Sequence, residues 1–343
     1  MDNIKFYVLM TVYNAQDTLG NSIKSVISQS YTNLELIIVN DGSTDLSRRI
    51  CDEYALEDER ITVIHSKNEG AMAARDKAIK FALSKASNND YVMFLDADDT
   101  YVDNAMNIIN SHIMNSKCDL LILQMQRVVM GKNARITQYP LAYVGILKDK
   151  KKFFHIVFEN SHYNALWRKV VSVKLLTDKT DKDFYYLRVG EDLLRSLEIY
   201  DNAKVVLFVD DVLYNYTYNE KSITANWNCL NYRVDSTVER IVHNFILSRS
   251  MWSKSDFEIY YEYIKNKLLY EIFNICKYKI PKKVKMGYLR QIKNDEYYKW
   301  IINSNLDNKV FSSVVNEKYN KIVLYSYMNR GVTKLKKIFC KKK

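Results

Sequence analysis

The sequence predicts an α/β protein built on a mostly parallel central sheet with helices on both faces. Through the first third of the chain, short apolar runs alternate with stretches of helical spacing, the pattern of strands joined by crossover helices. The most polar motifs, at 11–14, 40–45 and 96–99, each follow one of those runs. Folds of this kind gather ligands at the carboxyl ends of their strands. A chain of 343 residues, 48% hydrophobic and 27% charged, is long enough for one large catalytic domain plus an accessory region.

The first expected strand is Phe6 to Thr11. Thr18 to Ser28 sets Leu19, Ile23, Val26 and Ile27 at helical spacing. Leu34 to Val39 is a second strand, broken by Asn40-Asp41-Gly42-Ser43, and Asp45 to Leu56 is helical. Ile61 to His65, the helix Met72 to Ser84 and the strand Tyr91 to Leu95 follow, the last ending at Asp96. Asp103 to Ser116 reads as helix and Asp119 to Met125 as strand. Residues 126 to 150 mix strand and loop, and Phe153 to Phe158 and Tyr163 to Val171 are apolar segments. Glu191 to Tyr200 has helical spacing, Val205 to Val209 is a strand, and Asp210 to Asn226 is a tyrosine-rich strand and loop. After Trp227 the rhythm changes. Tyr232 to Met251 and Phe257 to Tyr278 are helical with no strand between them, and Pro281 separates helices. The expected division is a catalytic domain over 1–226 and a mainly helical, basic region over 227–343.

Charge is unevenly spread. The formal net charge is +11, yet residues 275–343 hold 18 Lys plus Arg against 4 Asp plus Glu, so the remainder is slightly negative. Such asymmetry points to an anionic partner surface, membrane or nucleic acid. A solvated basic face over a helical core, or an oligomer contact, accounts for it as well. The final stretch Gly331 to Lys343 sets Leu335, Ile338 and Phe339 on an apolar stripe among lysines. Five dispersed cysteines without a CxxC pair speak against a disulfide framework or structural zinc and for a reducing compartment. The opening residues lack the pattern of a secretory leader, and no apolar run reaches about eighteen residues. The expected location is cytoplasmic, with the basic tail available for peripheral attachment at the inner face of the membrane. No GxGxxG follows the first strand, which argues against a hydride-transfer enzyme.

Asp96-Ala97-Asp98-Asp99 is the sharpest local feature. Three acids at a strand end repel one another, and a divalent cation relieves that repulsion. Mn²⁺ or Mg²⁺ completed by substrate phosphates fits such a site. The alternative is that the acids cap the helix beginning near Asp103. In Asn40-Asp41-Gly42-Ser43-Thr44-Asp45, Gly42 permits a tight turn and Asp41 can accept from a nucleobase N–H, while Ser43, Thr44 or Asp45 can instead cap the next helix. Arg75 follows Asn68-Glu69-Gly70 on a helix early enough to face the same crevice, where a guanidinium binds phosphate or forms an ordinary ion pair. Gly190-Glu191-Asp192 offers a carboxylate that can take a proton from a hydroxyl, or a helix cap.

Taken in order, these residues resemble the family 2 glycosyltransferases, which have the GT-A fold, a Rossmann-like nucleotide-diphospho-sugar transferase fold, and invert configuration. The resemblance runs from Thr11-Val12-Tyr13-Asn14 through Leu34 to Asp45, Asn68 to Asp76 and Phe94 to Asp99, then Gly190-Glu191-Asp192, Tyr214, Tyr216 and Ser222-Ile223-Thr224. It covers roughly 4 to 225. It implies that Thr11, Val12, Tyr13 and Asp41 line the nucleotide pocket, Arg75 helps hold the nucleotide, and Asp96, Ala97, Asp98 and Asp99 face the ribose, cation and donor sugar. Asp98, with Asp96, would bind Mn²⁺ or Mg²⁺, and Asp192 would be the general base, with Glu191 its competitor. The segment 214 to 224 would order over the donor. Two departures stand out: Thr11 where the family usually has proline, and Asn40-Asp41 where it commonly has two acids.

The resemblance implies transfer of a sugar, UDP-linked by preference, to a hydroxyl of a glycan or lipid-linked acceptor in bacterial cell-envelope polysaccharide synthesis. A sugar nucleotidyltransferase, or a non-catalytic protein binding nucleic acid or an anionic surface, is the alternative. Nucleic acid is the weaker expectation, because the acids and glycines gather where a small phosphorylated ligand fits.

Overall fold

The computed structural model describes residues 4–129, 135–138, 141–178, 182, 185–187, 190–218 and 236–328. The chain divides into two compact units, Met1–Trp227 and Asn228–Lys343. The expected boundary at 226, the closing Ser222-Ile223-Thr224 and the basic stretch 331–343 all lie outside the described residues.

The first unit opens with the predicted alternation. β1 (Phe6–Val12), α1 (Leu19–Ile27), β2 (Leu34–Asp41), α2 (Ser47–Glu57), β3 (Ile61–Ser66), α3 (Ala71–Lys85) and β4 (Tyr91–Asp96) follow one another. The four strands pair in parallel in the order β3-β2-β1-β4. β1, β2 and β4 are almost wholly buried, as strands covered by helices on both faces must be. The register sets Thr11 level with Val39 on one side and Asp96 on the other, so the three polar motifs leave the sheet at one edge.

Beyond β4 the sheet becomes mixed. β5 (Thr100–Tyr101), α4 (Ala105–Ser116), β6 (Leu120–Val129), β7 (Arg135–Gln138), β8 (Gly145–Leu147), α5 (Lys150–Glu159), β9 (Lys169–Ser172), α6 (Glu191–Asn202) and β10 (Val206–Tyr218) complete the unit. β9 enters antiparallel between β4 and β6, β10 runs parallel to β6, and β5, β7 and β8 add antiparallel pairs. The expectation of a mostly parallel sheet therefore holds for the opening four strands and gives way to a mixed half. β9 occupies part of the apolar segment 163–171, whose short run carried no sign of direction.

The second unit is helical throughout its described residues, with α7 (Thr237–Leu247), α8 (Lys254–Lys277), α9 (Lys282–Asn294), α10 (Glu296–Asn303), α11 (Lys309–Val315) and helical residues 319–328. α8 begins with a reciprocal cap between Ser253 and Asp256, and Pro281 starts α9, where its missing N–H costs nothing. Ile264, Leu268, Ile272, Ile292, Ile301, Phe311 and Val314 form its buried interior. Among the described residues no helix is long and apolar enough to cross a membrane.

Candidate active site at the carboxyl ends of the strands

The loops that leave β1 and β2 are stitched together. The Asn14 amide donates to Ser43 Oγ (3.0 Å), Ala15 to Ser47 Oγ (2.8 Å), Gln16 to Asp45 Oδ2 (3.1 Å) and Thr44 to Asn14 Oδ1 (2.8 Å). Asp45 also accepts from the Ser47 amide (2.9 Å), so the capping role weighed for it is realised at the start of α2. Gly42 has φ +70, and a β-carbon there would meet the Asn68 amide nitrogen at 2.7 Å, so the turn admits only glycine.

Asp41 is buried at the end of β2. Its two oxygens accept the amides of Glu69 (2.9 Å) and Gly70 (2.8 Å), which fixes the approach to α3. A carboxylate offers about four acceptor positions, so both oxygens keep capacity beyond these bonds. Asn40 donates no charge here. Its Oδ1 accepts the Ser43 amide (3.2 Å), its Nδ2 lies 3.1 Å from His65 Nδ1, and His65 Nε2 lies 2.8 Å from Asp52 Oδ1. Tyr13 is half exposed at the rim, whereas Val12 and Ala97 turn their side chains into the core and offer the crevice only backbone.

The acidic motif divides by position. Asp96 ends β4, and burial together with Asp192, Asp98 and Glu191 pushes its carboxyl up to about 7, against the pull of Arg75. Burial also raises Asp98. Asp99 is fully buried, accepting from Tyr214 Oη (2.9 Å) and the Thr217 amide (2.7 Å), with burial and the neighbouring Asp96 and Asp98 pushing its carboxyl up. Asp99 thus fastens the acidic turn to β10. None of the acids caps α4, whose first residue is preceded by Asn104 at φ 61 without a side-chain cap.

α3 and α6 meet across two opposed ion pairs. Arg75 Nη1 lies 2.9 Å from Asp192 Oδ1, and one residue on, Asp76 pairs with Arg195 and accepts from Tyr185 Oη (3.1 Å). Burial works against the Arg75 charge, but Asp192, Asp96 and Glu191 together raise its pKa. Asp192 Oδ2 accepts the Leu166 amide at 3.1 Å. α6 starts at Gly190, φ 91, without a side-chain cap, so neither Glu191 nor Asp192 is spent on capping. Glu191 is raised by burial first and by Asp192 second. The residues expected to act together, Arg75, Asp96, Asp98, Glu191 and Asp192, form one electrostatic neighbourhood. Asp41 adjoins it through the loop that starts α3.

Several participants escaped the sequence reading. Trp167 stacks on Tyr214 (4.7 Å) and Tyr216 (5.6 Å), beside the turn that carries the Leu166 amide. Arg195 pairs with Asp76, and Arg168 and Lys169 are buried. The available signal was two adjacent cations inside the apolar run 163–171, a placement costly enough to require partners. Among the described residues no three His, Cys, Asp or Glu side chains gather as a ready-made metal cage.

The glycosyl transferase family 2 pattern matches residues 7–174. Glycosyltransferase GlyA of Streptococcus pneumoniae is 27% identical over 69% of this chain and 34% of its own length. The uncharacterized glycosyltransferase EpsJ of Bacillus subtilis is 28% identical over 63% of this chain and 62% of its own length. The chain thus spans between about a third and under two thirds of these curated relatives. S. aureus TarS, residues 1–349 crystallised in complex with UDP-GlcNAc, superposes with a TM-score of 0.68 at 18% identity, covering 96% of this chain and 92% of that one, which shows the shared fold. With the acidic motif at the end of β4 and the α3–α6 cluster beside it, the matched pattern places residues 7–174 of this chain in glycosyl transferase family 2.

Proposed function

We propose that the chain transfers a sugar from a nucleotide-diphosphate donor, UDP-linked by preference, to a hydroxyl of a glycan or lipid-linked acceptor in cell-envelope polysaccharide synthesis, with inversion. The observation that carries the reading is the meeting of Arg75, Asp96, Asp98 and Asp192 at the carboxyl ends of the strands, with more acid than base among them. Thr11, Tyr13 and Asp41 border the same edge and suit the nucleotide.

The acid excess fits a divalent cation, Mn²⁺ or Mg²⁺, held by Asp98 and Asp96. Such cations commonly take part of their coordination from substrate phosphates, which suits a site where no third ligand gathers among the described residues. When bound, the cation supplies positive charge for a departing diphosphate. Arg75 binds and orients the diphosphate from α3. Asp192 accepts the proton of the acceptor hydroxyl, whose oxygen attacks the anomeric carbon from the face opposite the leaving group, in one displacement. Glu191, one residue away and held more protonated by burial, is the competing base.

The second unit is proposed to rest on an anionic membrane surface at the cytoplasmic face, with self-association as its other use. Support comes from the basic excess of residues 275–343 and from the exposure of Leu324, Tyr327 and Met328 at 56%, 49% and 60%. A donor panel read by product tests the reaction. Release of nucleoside diphosphate with transfer to acceptor supports it, whereas pyrophosphate release assigns a nucleotidyltransferase.

A further inference from the structure

We propose that Lys169 is a positioning residue, whose buried ammonium gathers three backbone carbonyls and thereby holds the Leu166 amide on Asp192. The inference rests on the assignment of Asp192 as base. Lys169 opens β9 with no exposure at all. Its Nζ donates to the carbonyl oxygens of Tyr163 (2.6 Å), Asn164 (3.1 Å) and Ala165 (2.7 Å). An ammonium has three hydrogens, so each is used.

The three carbonyls belong to consecutive residues, and the next amide in the chain, that of Leu166, donates to Asp192 Oδ2 at 3.1 Å. α6 grips the same turn from the other side. Tyr200 Oη donates to the Tyr163 carbonyl (2.6 Å), and Ser196 Oγ lies within donating distance of the carbonyls of Asn164 (3.2 Å) and Asp192 (2.6 Å). Turn and helix are thus bound together where the carboxylate emerges. One oxygen of Asp192 is set by that turn and the other by Arg75 on α3.

A packing role alone does not account for a lysine at this place. Burial strips its charge of water and pulls its pKa well down, with Asp192 opposing that shift and Arg168 and Arg75 adding to it. An apolar side chain of similar length fills a core position without such a cost. What an apolar residue cannot do is draw three successive carbonyls to one point and so aim the amide that follows them. Orientation of a reacting group to within about 1 Å is worth on the order of a hundredfold in rate.

The test is a double-mutant cycle on the full chain, with Lys169→Met, Asp192→Asn and the pair, read by nucleoside diphosphate release with acceptor present, and thermal unfolding of each variant. Lys169→Met is expected to lower kcat about tenfold or more while donor KM stays within about threefold. In the Asp192→Asn background the same substitution is expected to cost nothing further, because the group it positions is gone. An equal loss in both backgrounds, or a donor KM that rises as far as kcat falls, overturns the positioning role and leaves the base assignment standing. Near-normal turnover by Asp192→Asn alone overturns the base assignment, and the inference with it. If Lys169→Met fails to fold, Lys169→Gln, which keeps two of the three N–H donors for the turn, carries the same cycle, with a smaller fall in kcat expected in the wild-type background and again no further cost in the Asp192→Asn background.

Discussion

The two ends of the parallel strands treat buried acids in opposite ways. At the amino end, Glu35 is nearly buried and faces two lysines, Lys5 at 2.8 Å and Lys85 at 2.6 Å, with Thr62 Oγ1 donating at 3.1 Å. Burial alone would raise its carboxyl, but these partners outweigh it and hold the carboxyl below the ordinary value. At the carboxyl end, Asp96 shares its surroundings with Asp98, Asp192 and Glu191 against one arginine, and its carboxyl is pushed up to about 7. One sheet therefore carries a satisfied acid at one end and an unsatisfied group of acids at the other. Satisfied charge ties strands and helix together. Unsatisfied charge is a standing demand for positive charge, which a cation can meet.

Breaking the demanding end should have the largest effects. Asp192→Asn is expected to lower kcat on the order of a thousandfold with donor affinity kept, checked by single-turnover assays and donor titration. Asp98→Asn should cost about a hundredfold or more in kcat/KM and should also weaken donor binding in the presence of Mn²⁺, measured by calorimetry with and without the ion. Asp96→Asn separates activity from stability. Its raised pKa means that its contribution to folding is fully present below its ordinary value of 3.8 and is lost as pH rises through about 7. Without divalent ion at pH 8, the amide is expected to stabilise the fold by about 1–2 kcal/mol, a figure discounted for solvent at a half-buried side chain, while transfer falls. The gain in Tm should shrink toward pH 5.

The satisfied end gives the smallest effect and the opposite sign. Glu35→Gln is expected to cost about 1 kcal/mol at pH 7 and leave kcat unchanged, because its lysines are partly exposed. Its depressed pKa places the contribution above the ordinary value of 4.5 and removes it as pH falls through the lower folded value, so wild type and variant should converge in acid. A Glu35→Gln variant that lost turnover with its fold intact would erase the contrast between the two ends.

Much of this was legible in the sequence for a physical reason. Buried parallel strands must be continuous apolar runs, so β1, β2 and β4 announce themselves, and the polar residues that follow them mark the edge where they leave the sheet. The second half of the sheet was harder. Lys169–Ser172 is four residues long, and nothing in so short a run tells whether it enters parallel or antiparallel. Asp99 looks identical to Asp98 in sequence, yet one is spent on Tyr214 and Thr217 and the other is not. That division depends on a strand more than a hundred residues away. The pairing of Asp76 with Arg195 and of Arg75 with Asp192 is legible only in part: the residue types are apt, but which arginine meets which aspartate is decided by how α3 and α6 cross.

The Asn40 side chain has a consequence for which changes the chain can accept. Its oxygen is committed to an amide hydrogen, which leaves its nitrogen to donate, so His65 must present a bare Nδ1 and carry its hydrogen on Nε2, toward Asp52. An aspartate at position 40 would reverse that polarity and call for the other tautomer or a doubly protonated ring. The amide and the imidazole therefore form an epistatic couple, in which an acid at position 40 changes where His65 carries its hydrogens and so what Asp52 must accept.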